Sequence, residues 1–226
     1  MTGKPLSDLT FEEWIIFVFD HPAGDSRPEW YWDSEADWWN GPVAMTVEYL
    51  TRAFENTETV FASYSDSQLN QGLWYLASNA CSAHMFALMD SSVPWLARQR
   101  CIRSIQMLYQ DCFAQRCTPH LSHLDEPGAG QLNSVCYMWW DILPVAGHPD
   151  DPAGREMDRT ILEVMNTALQ LDSIACQESA LHGLGHWYLK YSKEVEEIIQ
   201  AFLQRDKALP VNLRKYAMSA LNGCVL

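Results

Sequence analysis

The apolar residues of this chain recur every three or four positions over most of its length, the period of a helix buried along one face. No sustained alternation of apolar and polar residues points to a sheet. The first apolar run, Trp14-Ile15-Ile16-Phe17-Val18-Phe19, is preceded by Thr10-Phe11-Glu12-Glu13. There the threonine hydroxyl can accept from the amide three residues on, while Glu13 reaches back. A helix is therefore predicted that stops near His21-Pro22, because proline disfavours helical geometry in the residue before it. Residues 21–42 read as a long loop punctuated by Pro22, Gly24, Pro28, Gly41 and Pro42. Further helices are predicted at about 43–56, 66–89, 94–116, 131–143, 155–170, 173–190, 192–206 and 210–223. Ser65-Asp66, Asp172-Ser173 and Ser192 supply capping chemistry. Pro94 and Pro210 stand where a first-turn proline is tolerated. The loops at 117–130 and 144–154 are rich in Pro, Gly and Asp.

The chain also repeats itself. Pro94-Trp95-Leu96-Ala97-Arg98-Gln99-Arg100-Cys101-Ile102-Arg103-Ser104-Ile105 aligns with Pro210-Val211-Asn212-Leu213-Arg214-Lys215-Tyr216-Ala217-Met218-Ser219-Ala220-Leu221. A third copy runs from Ser173 through Glu178-Ser179-Ala180-Leu181-His182-Gly183-Leu184-Gly185. The small pairs Cys101/Ser104, Ala217/Ala220 and Ala180/Gly183 lie three apart on one face, where they let a neighbouring helix approach closely. A lone helix pair cannot bury such a face, so copies must stack. Gln68 to Tyr75 and Gln131 to Met138 give a further echo. With Pro210, Arg214, Ala217 and Leu221, and with the Ser179–Gly185 stretch, the chain resembles the HEAT-repeat family. The likeness is best over 155–224, fair over 66–116 and absent over 1–60. It implies an all-α fold of stacked antiparallel helix pairs, a short HEAT-like α-solenoid interrupted at 117–130, of a kind that binds other proteins. The expected organisation is one all-helical domain, with 1–60 as an acidic, Trp-rich cap and 61–226 as the repeat region.

Charge narrows the partners. The net charge is −14, and residues 1–58 hold 12 acidic against 3 basic side chains. Such a surface is repelled by phosphate backbones and anionic lipid. Neither nucleic acid nor a membrane is expected as partner, whereas a basic protein is compatible. The cysteine count is odd, at seven, and the start of the chain lacks a basic, then apolar, leader. Both features predict reduced thiols and a soluble, cytoplasmic location. No apolar stretch reaches the roughly 18 residues of a membrane helix. The terminal Cys224-Val225-Leu226 falls one residue short of a prenylation signal.

Four constellations carry candidate chemistry. Glu178, His182 and His186 share one helix face at four-residue spacing, a metal-binding pattern in which Gly183 stands where zinc proteases need Glu. The alternative is a packed, hydrogen-bonded interior pair. Cys112, Cys117, His120 and His123 offer zinc-type ligands at irregular spacing, against a buried Cys112 with surface histidines. Tyr137, Trp139, Trp140 and Asp141 place adjacent indoles about 100° apart on a helix, one for the core and one for a groove. Trp30, Trp32, Trp38 and Trp39, with Glu29, Asp33, Glu35 and Asp37, either clasp a cationic group or cap the open end of the array. Arg98, Arg100 and Arg103 form a basic strip suited to internal pairing.

No nucleophile elbow, phosphate-binding loop or dinucleotide fingerprint occurs, and no cofactor is expected. These features point to a non-catalytic protein-interaction module, in its sharper form an immunity-type neutraliser of a basic protein. Its expected contacts are Trp30, Trp32, Trp38, Trp39, Tyr137, Trp140, Asp141, Glu178, His182, His186 and Trp187. The alternative is a metal-binding protein or metal-dependent hydrolase using Glu178, His182 and His186.

Overall fold

A computed structural model describes residues 3–24, 28–145, 147–205 and 208–225. The fold is all-α. The only strands among the described residues, β1 (Pro5–Leu6) and β2 (Trp38–Trp39), form a two-residue parallel pair. No described helix is long and apolar enough to cross a membrane. The chain forms two compact units, residues 1–108 with 142–144, and residues 109–141 with 145–226.

The first unit contains α1 (Phe11–Phe19), α2 (Val43–Glu55), α3 (Thr57–Val60), α4 (Asp66–Ala77) and α5 (Trp95–Met107). Helix α1 opens on the capping box read from the sequence, with Glu13 N–H donating to Thr10 Oγ1 and Thr10 N–H to Glu13 Oε2. It buries Phe11, Trp14, Ile15, Val18 and Phe19. Helices α1 and α4 pack together, as do α2 and α5. Helices α1 and α2 thus share one unit with α4 and α5, and that unit's main segment ends at 108.

The helix expected over 66–89 ends at Ala77 and gives way to a turn and a 3-10 segment at His84–Leu88. Two serines explain the break. Ser78 Oγ accepts from Ala80 N–H and Ser82 Oγ donates to the Tyr75 carbonyl, so both capture backbone groups that a helix would use. Prolines 42, 94 and 210 each take the N-cap position, one residue outside the helix, with nearly the same dihedrals: φ −54, −53 and −51°, ψ 139, 138 and 138°. Each carbonyl receives the first helical N–H, from Thr46, Arg98 and Arg214. Of the basic strip, Arg100 forks onto Glu55 at 2.8 and 2.7 Å, and Arg98 donates to the Val93 and Leu88 carbonyls.

The second unit begins within a π-helical segment at Leu108–Phe113, which leads into α6 (Ala114–Arg116). A loop with a 3-10 turn at Ser122–Leu124 follows, then α7 (Asn133–Ile142), α8 (Pro152–Leu169), α9 (Ile174–Trp187), α10 (Ser192–Arg205) and α11 (Val211–Ala220). Helix α9 packs against α8, α10 and α11 and is buried nearly all round. The small residues Ala180, Gly183, Ala217 and Ala220 lie in the core, as close helix approach requires. A Cβ on Gly183 would come within 2.6 Å of Trp140 Cβ. That atom is tied to its own backbone and has little room to yield. Gly183→Ala is expected to destabilise by roughly 1–2 kcal/mol in urea unfolding, even though alanine gains about 1 kcal/mol of helix propensity. None of the seven cysteines forms a disulfide.

Candidate functional site

The aromatic loop of the first unit divides into an inner and an outer set. Trp39 is buried, its Nε1 donating to Thr46 Oγ1 at 2.7 Å. Trp30 stacks on His21 at 4.1 Å and leans on Tyr75 at 4.6 Å, and its backbone N–H donates to Gln71 Oε1. Trp32 and Trp38 instead face solvent, 57% and 36% exposed. Glu29, Asp33, Glu35 and Asp37 are exposed too. Asp33 accepts from Glu35 N–H and Asp37 from Lys4 N–H, which fixes the loop. Among the described residues no Lys or Arg side chain pairs with any of the four.

In the second unit a chain of polar contacts runs across one wall of an open cleft of about 710 Å³. Glu178, fully buried on α9, accepts from the Ser122 and His123 amides at 2.9 and 3.0 Å and meets His123 Nδ1 at 2.6 Å. His123 stacks on Tyr216 of α11, centroids 4.0 Å apart. The Tyr216 hydroxyl lies 2.7 Å from His182 Nδ1 and 3.3 Å from the Tyr137 hydroxyl. Burial pushes both phenols above their ordinary range, Tyr216 well above it, so they remain protonated. His182 Nε2 then faces His186 Nε2 at 3.2 Å, and His186 Nε2 faces Asp141 Oδ1 at 3.4 Å. Burial pushes the His182 imidazole down to about 3, aided by its neighbours His186 and His123, so this ring is neutral at ordinary pH. His123, His186 and Tyr216 line the cleft with Lys215, Asn212 and Cys224.

The structure sorts the sequence candidates. Tyr137, Asp141, His182 and His186 come together, but Glu178 is turned towards 122–123 instead. The carboxylate beside His182 and His186 is Asp141, from a different helix. Trp39, Trp140, Glu178 and Trp187 are corrected from partner contacts to core residues: Trp140 lies flat against Tyr109 at 11° and Trp187 against Tyr191 at 26°. The Cys112-Cys117-His120-His123 set does not assemble. Cys112 is buried, and His123 is engaged by Glu178. Among the described residues only Asp141, His182 and His186 gather as metal-type ligands. The sequence gives no local signal for the roles of Tyr216 and the Glu178–His123 pair, because both join residues far apart along the chain. No family model matches the chain, and no curated protein or solved structure matches it.

Proposed function

We propose that the chain is a non-catalytic protein-interaction module that takes a basic segment of another protein on the Trp32–Trp38 loop, in its sharper form as a neutraliser of that protein. The observation that carries this reading is the pair of solvent-facing indoles among four exposed carboxylates without a basic side-chain partner among the described residues. Exposed tryptophan is otherwise a wasteful use of the residue, and indoles dominate binding hot spots. A guanidinium over an exposed indole gains about 0.5–1 kcal/mol, and the surrounding carboxylates steer it in. The helix pairs of the second unit, with their buried small residues, support the HEAT-like solenoid reading for that unit.

The test is binding of an arginine-rich peptide at low and high salt, followed by a pull-down from the native host. The double variant Trp32→Ala/Trp38→Ala should bind the peptide roughly tenfold more weakly, and 0.5 M salt should weaken wild-type binding further. A host protein held equally by wild type and double variant would overturn this surface.

A further inference from the structure

We propose that Asp141, His182 and His186 bind one divalent metal ion of the zinc class, with a further coordination position open to the cleft. Three observations carry this beyond the interaction reading. The first is spacing. A tetrahedral zinc ion with bonds of about 2.0–2.2 Å holds its ligand atoms roughly 3.3–3.6 Å apart. The structure places His182 Nε2 and His186 Nε2 3.2 Å apart, and His186 Nε2 and Asp141 Oδ1 3.4 Å apart. The ligand atoms of all three residues lie within 4.8 Å of one another.

The second observation is orientation. Histidine ligands of metals use their other ring nitrogen to hold a fixed partner, which sets tautomer and ring angle. His182 does this through Nδ1 and the Tyr216 hydroxyl. If Nδ1 carries the proton and donates to Tyr216, Nε2 presents a bare lone pair to the other two ligands. The third is access. His182 is buried, whereas the His186 and Asp141 side chains are 38% and 40% exposed, and His186 lines the cleft. An ion there is anchored from inside and reached from outside. Two imidazoles and one carboxylate leave a tetrahedral ion one site for water or an incoming donor.

The experiment is titration of the full chain, stripped with chelator, with zinc alone, read by calorimetry and by competition with a chromophoric chelator. One equivalent of zinc should bind. Asp141→Asn/His186→Ala should lose that site, and Tyr216→Phe should bind roughly 10- to 100-fold more weakly. Cys224→Ser should bind as wild type does, although Cys224 lines the same cleft. Cobalt in place of zinc should give a tetrahedral visible spectrum with no thiolate charge-transfer band. This reading of the wild-type protein stands even if the double variant misfolds. Full binding by a folded double variant, loss of binding in Cys224→Ser, a thiolate band, stronger binding of iron(II) than of zinc, or no zinc uptake by natively folded wild type would each overturn the proposal. None of these results bears on the Trp32–Trp38 surface, so the two readings fail separately.

Discussion

Glu178→Ala is expected to destabilise the second unit by about 3–5 kcal/mol, the cost of leaving three buried donors without their acceptor at about 1–3 kcal/mol each. The carboxylate has no solvent exposure and serves three donors: the Ser122 amide, the His123 amide and His123 Nδ1. Removing it strands all three in a segment that already buries His120 Nδ1 and Ser122 Oγ without a partner. Glu178→Gln separates charge from shape. Its amide oxygen can take the two bonds that Oε1 receives from His123, but its NH₂ is then turned against the Ser122 amide, so a loss of about 1–3 kcal/mol is expected. Urea unfolding measures both changes. Hydrogen exchange localises them, because the amides of residues 122 and 123 should lose protection before the rest of the unit. A Glu178→Ala protein within 1 kcal/mol of wild type would show that the loop at 117–130 is held by something else.

The same residue shows how far the sequence is legible. Four-residue spacing puts Glu178, His182 and His186 on one helix face, and α9 does present them so. Yet Glu178 and His186 are eight residues apart, about 12 Å along the axis, too far to share an ion. The carboxylate that reaches the histidines, Asp141, arrives from α7 by tertiary packing, which no periodicity within α9 encodes. One signal was present. Tyr137 and Asp141 are also four apart, matching His182 and His186, and those two pairs meet across the α7–α9 contact: Tyr137 against His182 at 4.3 Å, Asp141 against His186. Local devices were readable because their physics is local: the Thr10–Glu13 box, the Ser65 cap and the small residues of the stacked helices. The break after Ala77 was not, because Ser78 and Ser82 turn the backbone against a favourable apolar pattern. The inward or outward fate of each tryptophan between 30 and 39 was equally hidden, since it depends on Thr46, His21 and Tyr75, from other parts of the chain.

Acid should unfold the first unit through His84. The ring is buried among Trp14, Trp39 and Tyr75. Its Nε2 accepts from Trp14 Nε1 at 3.1 Å, so the proton of the neutral ring sits on Nδ1 and is donated to Ser82 Oγ at 2.8 Å. Ser82 passes its own proton to the Tyr75 carbonyl, and every polar atom of the chain of contacts is satisfied only while the imidazole is neutral. A second ring proton would set N–H against N–H and place a charge in an apolar pocket. Burial accordingly pushes His84 down to about 3 from an ordinary 6.5. Between those values the unfolded chain binds a proton that the native state refuses, so this contribution to stability falls as pH drops from 6.5 towards 3. The loss amounts to about 2 kcal/mol at pH 5 and about 4–5 kcal/mol near pH 3, at roughly 1.4 kcal/mol per pH unit. His84→Gln keeps an acceptor for the indole and a donor for the serine but carries no titrating group. Urea unfolding of both proteins at pH 7, 6 and 5 should show a stability slope that is shallower in the variant by about one proton. Equal slopes would mean that His84 is protonated in the native state and that the Trp14 contact survives the charge.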